Sequence, residues 1–117
     1  MADQLRIEER DRGGVHVLAL AGDLDLAGAP ALASRIDRAR ADGRRKVLVD
    51  LSNVAVCDST GLRALLGAAR ELRIAGGRMT IVCPGEGQVA RLLDLTGTRE
   101  TLRVYEDPER AAAGLTG

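Results

Sequence analysis

Lys46-Val47-Leu48-Val49-Asp50-Leu51-Ser52-Asn53-Val54-Ala55-Val56-Cys57-Asp58-Ser59-Thr60-Gly61-Leu62 is the stretch whose reading decides the fold. Val47 to Leu51 is a β-branched and aliphatic run with Asp50 as its one polar residue, the pattern of a strand buried on both faces. A short loop through Val54-Ala55-Val56 is expected next. From about Ser59 to Ala75 the period becomes helical. Leu62, Leu65, Leu66, Ala69 and Leu72 share one face, while Arg63, Arg70, Glu71 and Arg73 fall on the rest. Strand, loop and helix in that order place Ser59 in a first helical turn, beside backbone N–H groups that have no partner within the helix.

Toward the N-terminus, Leu5 to Arg10 alternates like a half-exposed strand, and Val15 to Ala21 is a second strand. Gly13-Gly14 between them predicts a hairpin. Gly22-Asp23-Leu24-Asp25-Leu26-Ala27-Gly28 reads as a loop with two carboxylates. Pro30 suits the first turn of a helix running to about Ala41, with Leu32, Ile36 and Ala39 as its apolar stripe and Asp42-Gly43 as its end. Toward the C-terminus, Gly76-Gly77 stops the Ser59 helix, and Met79 to Val82 is another buried strand. Pro84-Gly85 is a turn. Gln88 to Leu95 is a helix with Val89, Leu92 and Leu93 inward, and Leu102 to Tyr105 is an edge strand. Asp107-Pro108-Glu109 combines an N-cap, a first-turn proline and a first-turn acid, and starts a helix to about Gly114. The order β-β-α-β-α-β-α-β-α predicts an α/β fold: a mixed, mostly parallel sheet of about five strands with helices packed on it.

The 117 residues are read as one domain, 1–117. Seventeen basic and 17 acidic residues leave no net charge, which argues against nucleic acid as the main partner. The basic segment Arg35 to Lys46 is broken by Asp37 and Asp42 and reads as a solvated helix face and turn. Tyr105 is the one aromatic residue, so base or sugar stacking has almost nothing to work with. Cys57 and Cys83 have neither a disulfide framework nor a zinc spacing, and are expected as buried free thiols in a reducing compartment. Met1 to Arg12 is too charged for a signal peptide, and no apolar run approaches the ~20 residues that span a bilayer. A soluble, cytoplasmic protein without membrane association is expected.

Ser59 has two readings. Asp58, Ser59 and Thr60 can simply cap the helix. Alternatively, Ser59 can carry a phosphate, which adds about −1.5 to −2 charge. Two unit charges about 4 Å apart interact by roughly 4 kcal/mol at an effective dielectric near 20. About 1.4 kcal/mol already changes a partner's affinity tenfold, so a charge switch next to Asp58 is large enough to matter. A nucleophilic serine would need a base, and the one histidine, His16, lies in a predicted strand among apolar neighbours. Nor does the Cys57–Gly61 neighbourhood form Gly-x-Ser-x-Gly, so no enzyme is expected. Asp23 and Asp25 have the spacing of a loop pair that either caps the following turn or works as paired carboxylates. Gly85-Glu86-Gly87 is too short for a phosphate cradle, and no metal or cofactor is expected.

Three of these motifs, in register over most of the chain, resemble the STAS domains of bacterial anti-sigma factor antagonists. Val47 to Val54 followed by Cys57-Asp58-Ser59-Thr60-Gly61-Leu62 resembles that family's phosphorylation-site signature. Gly22-Asp23-Leu24-Asp25 resembles its acidic loop, and Leu92-Leu93-Asp94-Leu95-Thr96-Gly97 its late helix and turn. The chain departs from the family at Val54-Ala55-Val56, where an aromatic residue is often found. The resemblance implies a regulator that binds an anti-sigma factor, itself a serine kinase of the ATPase type, and so frees a sigma factor. Phosphorylation at Ser59 would end the interaction, and a serine phosphatase would restore it. Asp23, Asp25, Asp58, Thr60 and Gly61 would belong to the partner surface. Relatives without kinase partners imply a second reading, a scaffold of a stress complex or a transport accessory module. Nucleotide binding beside the Ser59 helix is a further one.

Overall fold

The computed structural model describes residues 3–116, so the first two residues and the last one of the expected 1–117 domain lie outside the described residues. β1 (Arg6–Arg12) and β2 (Val15–Leu24) form the antiparallel hairpin, turning at Gly13 and Gly14. α1 (Ala29–Ala41), β3 (Lys46–Cys57), α2 (Ser59–Ile74), β4 (Arg78–Val82), α3 (Gln88–Thr96), β5 (Val104–Tyr105) and α4 (Pro108–Ala113) follow. The sheet runs β1-β2-β3-β4-β5, and all pairs after the first are parallel.

Strands in sequential order with same-handed crossovers put α1, α2 and α3 on one face. Leu18, Leu20, Val47, Val49, Leu51 and Ile81 project there and pack with Leu32, Ile36, Leu65, Leu72 and Leu93 of the helices. Each fully buried leucine of this kind contributes ~1.5–3 kcal/mol. The opposite face is covered only in part, by α4. Val15, Val17, Leu48 and Val82 meet Ala111 and Leu115 there. Thr80, fully buried on that face, donates its hydroxyl to the Ala111 carbonyl at 2.9 Å, so no buried polar group is left unpaired at this contact.

Three boundaries differ from the sequence reading, each for a local reason. β2 continues through the expected loop to Leu24, because Gly22 adopts φ +98° and the ladder absorbs register shifts beside it. No side chain fits at Gly22: a Cβ would lie 2.6 Å from the Gln4 carbonyl oxygen. β3 likewise runs on to Cys57, so Val54-Ala55-Val56 is strand, paired to the extended end of β2. β5, by contrast, shrinks to two residues. Arg103 takes φ +53°, a conformation that ends a strand, while Leu102 is buried from the preceding turn.

Candidate phosphorylation and partner-binding site

The extensions of β2 and β3 build the site. They pair Asp23 with Val56 and Leu24 with Cys57, so Asp25 and Asp58 both emerge one residue later, at the same end of the sheet. The Asp58 N–H donates to the Leu24 carbonyl at 3.3 Å, tying the α2 start to β2. Asp58 is the N-cap of α2, and its Oδ1 accepts the Gly61 N–H at 2.9 Å. Gly61 seats the first turn against β2. A Cβ there would sit 2.1 Å from the Leu24 carbonyl oxygen and 3.0 Å from the Cys57 Sγ. The residue is therefore fixed as glycine by contact, not by backbone angle.

Because Asp58 does the capping, Ser59 does not. Ser59 is the first helical residue and is exposed, and its hydroxyl has no hydrogen-bond partner among the described residues. Thr60, half-buried, follows it. No acidic residue occupies the first turn of α2, which leaves the positive end of the helix dipole uncompensated beyond Asp58. The Cys57 thiol behind the cap is buried: burial, then the charge of Asp58, then Cys83 push it up to about 12. Burial also raises the Cys83 thiol, and both cysteines are free.

Asp23 and Asp25 share this end of the sheet but already hold backbone groups. Asp23 Oδ2 accepts the Asp3 N–H at 2.9 Å, and the Asp23 N–H donates to the Asp3 carbonyl at 2.8 Å. Asp25 Oδ1 accepts the Gly28 N–H at 2.9 Å and closes the turn into α1. A depression of 280 Å³ lies between the N-terminal segment and this turn, lined by Asp3, Leu5, Asp25 and Gly28 among others. Among the described residues, no three His, Cys, Asp or Glu side chains converge as a metal site.

His16 is far from Ser59. It pairs with Val47 at the start of β3, whereas Ser59 follows Cys57 at the strand's end. Roughly ten residues at ~3.3 Å each separate the two levels by about 30 Å. His16 instead contacts Glu9 at 2.7 Å, and Arg35 donates to the other oxygen of Glu9 at 2.5 Å. Burial would raise the Glu9 carboxyl, but the bonds to His16 and Arg35 outweigh it and hold the group below the usual carboxylate range.

The model of the STAS domain family matches residues 6–111. The chain belongs to the STAS domain family. The anti-sigma-B factor antagonist of Staphylococcus aureus is 30% identical over 105 residues, covering 90% of this chain and 96% of that protein. The anti-sigma-F factor antagonist RsfB of Mycobacterium tuberculosis is 29% identical over 116 residues, covering 98% and 93%. The crystal structure of an anti-sigma factor antagonist from Mycobacterium paratuberculosis superposes with a TM-score of 0.86 at 29% identity, covering 98% and 97%. Among the described residues of this STAS domain, no helix is long and apolar enough to cross a membrane.

Two features of this STAS domain's site were not read from sequence. Leu26 and Val56 are exposed at the Ser59 end of the sheet, Leu26 to 74% and Val56 to 44%. In the sequence they look like core aliphatics, and only the turn at Asp25 and the register at Val56 turn them outward. Gln88 is the other: its side chain reaches back to Cys57.

Proposed function

We propose that this STAS domain is an anti-sigma factor antagonist, a binding protein without catalysis of its own. Unphosphorylated, it binds an anti-sigma factor that is a serine kinase of the ATPase type, and so frees a sigma factor. Phosphorylation of Ser59 switches it off, and a serine phosphatase resets it. The observation that carries the reading is the free, exposed Ser59 hydroxyl in a helical first turn whose capping is done by Asp58.

The physics supports a switch at this point. A phosphate on Ser59 brings about −1.5 to −2 charge and three acceptor oxygens to a helix start. The unpaired N–H groups of the first turn tolerate it, so the fold survives. Asp58, Asp25 and Asp23 at the same end make the local field more negative still. The partner surface consists of these acids with Thr60 and the exposed Leu26 and Val56, while Gly61, buried against β2, supports it from beneath. A partner that meets it with apolar and basic groups is bound while Ser59 is bare and faces an altered charge once it is modified. Incubation with a cognate anti-sigma kinase and ATP, followed by mapping of the modified residue, tests the reading. One phosphate, on Ser59, is expected; phosphate on Thr60 alone, or neither phosphate nor binding, sinks it.

A further inference from the structure

Gln88 is the first residue of α3, yet its side chain serves the Ser59 segment. Its Oε1 accepts the Cys57 N–H at 2.8 Å, and its Nε2 donates to the Cys57 carbonyl, also at 2.8 Å. A neighbouring strand would pair with Cys57 in the same way. β4 cannot do so: the β3–β4 ladder ends at Asp50 and Val82, and beyond it the end of β3 pairs only with β2. The amide stands in for the missing strand at the last residue before Asp58 and Ser59. A primary amide suits the task because it offers one acceptor and a donor on a single planar fork. Cys57 is 1% exposed, so its backbone groups would otherwise be left without partners.

We propose that Gln88 is a positioning residue of the switch, which holds the Ser59 segment and makes the first turn of α3 respond to the charge on Ser59. The inference rests on Ser59 being the switching residue. The segment has two other anchors, the Asp58 N–H on the Leu24 carbonyl and Gly61 packed against the same oxygen. Both lead to β2, and the Gly61 contact leaves no slack. The Gln88 tether leads instead to a helix that begins after Gly87, a glycine at φ +106°. Added negative charge beside Asp58 acts on the segment, and of these anchors the Gln88 tether alone leads away from β2, to the first turn of α3, where Val89 and Ala90 are buried. Coupling of this kind is reciprocal: what Ser59 does to α3, release of α3 does to Ser59.

The test uses the full chain and needs no identified partner. Gln88→Leu removes both hydrogen bonds at similar size. Gln88→Glu keeps the acceptor, loses the donor at neutral pH and regains it when the carboxyl is protonated. Amide exchange at Cys57 is expected to speed up about tenfold or more in Gln88→Leu. In Gln88→Glu the excess over wild type should shrink as the pH falls through the carboxyl titration. Ser59→Glu then serves as the charge probe. In the wild-type background it should shift the amide resonances of Val89 and Ala90; in the Gln88→Leu background those shifts should vanish. A clamp with only a structural role would raise the exchange and leave the shifts in place, and that result overturns the proposal, as does wild-type exchange at Cys57 in Gln88→Leu. Failure of a kinase to phosphorylate Ser59 would overturn the proposed function, while these two readouts still decide the role of Gln88.

Discussion

At the start of α2, Asp58 accepts the Gly61 N–H at 2.9 Å; at the start of α4, Asp107 accepts the Arg110 N–H at the same distance. The caps are alike, and the surroundings are not. After Asp107 come Pro108, which has no N–H to offer, and Glu109, which already compensates the helix dipole. After Asp58 come a free serine hydroxyl, a half-buried threonine and a glycine pressed on β2, with no acid in the turn. One helix start is closed to an added anion and the other is open. The capping residue therefore says nothing about function; the three residues behind it do.

The largest expected effect comes from the third of those residues. Gly61→Ala forces a Cβ toward the Leu24 carbonyl and should cost about 3 kcal/mol or more, at the upper end of overpacking. Arg110→Ala, at the matching position of α4 and with its side chain 81% exposed, should stay within about 0.5 kcal/mol. Urea unfolding midpoints at constant slope measure both, and equal losses would erase the distinction between the two starts.

Next come the exposed apolar residues on the α2 side. Leu26→Ala and Val56→Ala should each weaken binding to the anti-sigma partner about tenfold, as central interface residues do. Leu95→Ala, 80% exposed on α3, serves as the control and should leave affinity unchanged. A calorimetric titration separates these outcomes; an equal effect at Leu95 would move the partner surface elsewhere.

The caps themselves come third. Asp58→Ala and Asp107→Ala should each lower stability by about 1 kcal/mol. Only Asp58→Ala should also change partner affinity, read in the same titration; a change of equal size in Asp107→Ala would make it an indirect effect of helix loss.

The smallest effect is the alkaline one. The folded Cys57 thiol titrates at about 12, above that of an unfolded chain, so folding favours the protonated form. Its contribution is complete below about 8.5 and is lost as the pH rises from there toward the folded value. The thermal midpoint should hold steady from about pH 7 to 8 and fall above about 9, and Cys57→Ala should flatten part of that fall. A native protein whose Cys57 reacts quickly with a thiol reagent near neutral pH would contradict the buried thiol.

The sequence showed the order of elements and the placement of Ser59, because the periods of Val47–Leu51 and Leu62–Leu72 are long and unmixed. It stopped both β2 and β3 too early. A glycine and an aspartate at positions 22 and 23 look like a loop, and nothing local reveals that Gly22 bends within a strand. Asp58 was visible as a capping residue, but its share of the work against that of Ser59 was not. That division depends on which hydroxyl or carboxylate reaches the Gly61 N–H. The Gln88 clamp spans 31 positions of sequence and leaves no local pattern at all. What stays hidden, in each case, is a contact between segments rather than a property of one.

The most direct test is a titration of the purified anti-sigma partner with four forms of the chain: unmodified, phosphorylated, Ser59→Ala and Ser59→Asp. The unmodified and Ser59→Ala forms should bind alike, and the phosphorylated and Ser59→Asp forms at least about tenfold more weakly, the effect of 1.4 kcal/mol. Equal affinity across all four would contradict a charge switch at Ser59 and leave a scaffold whose binding ignores that residue.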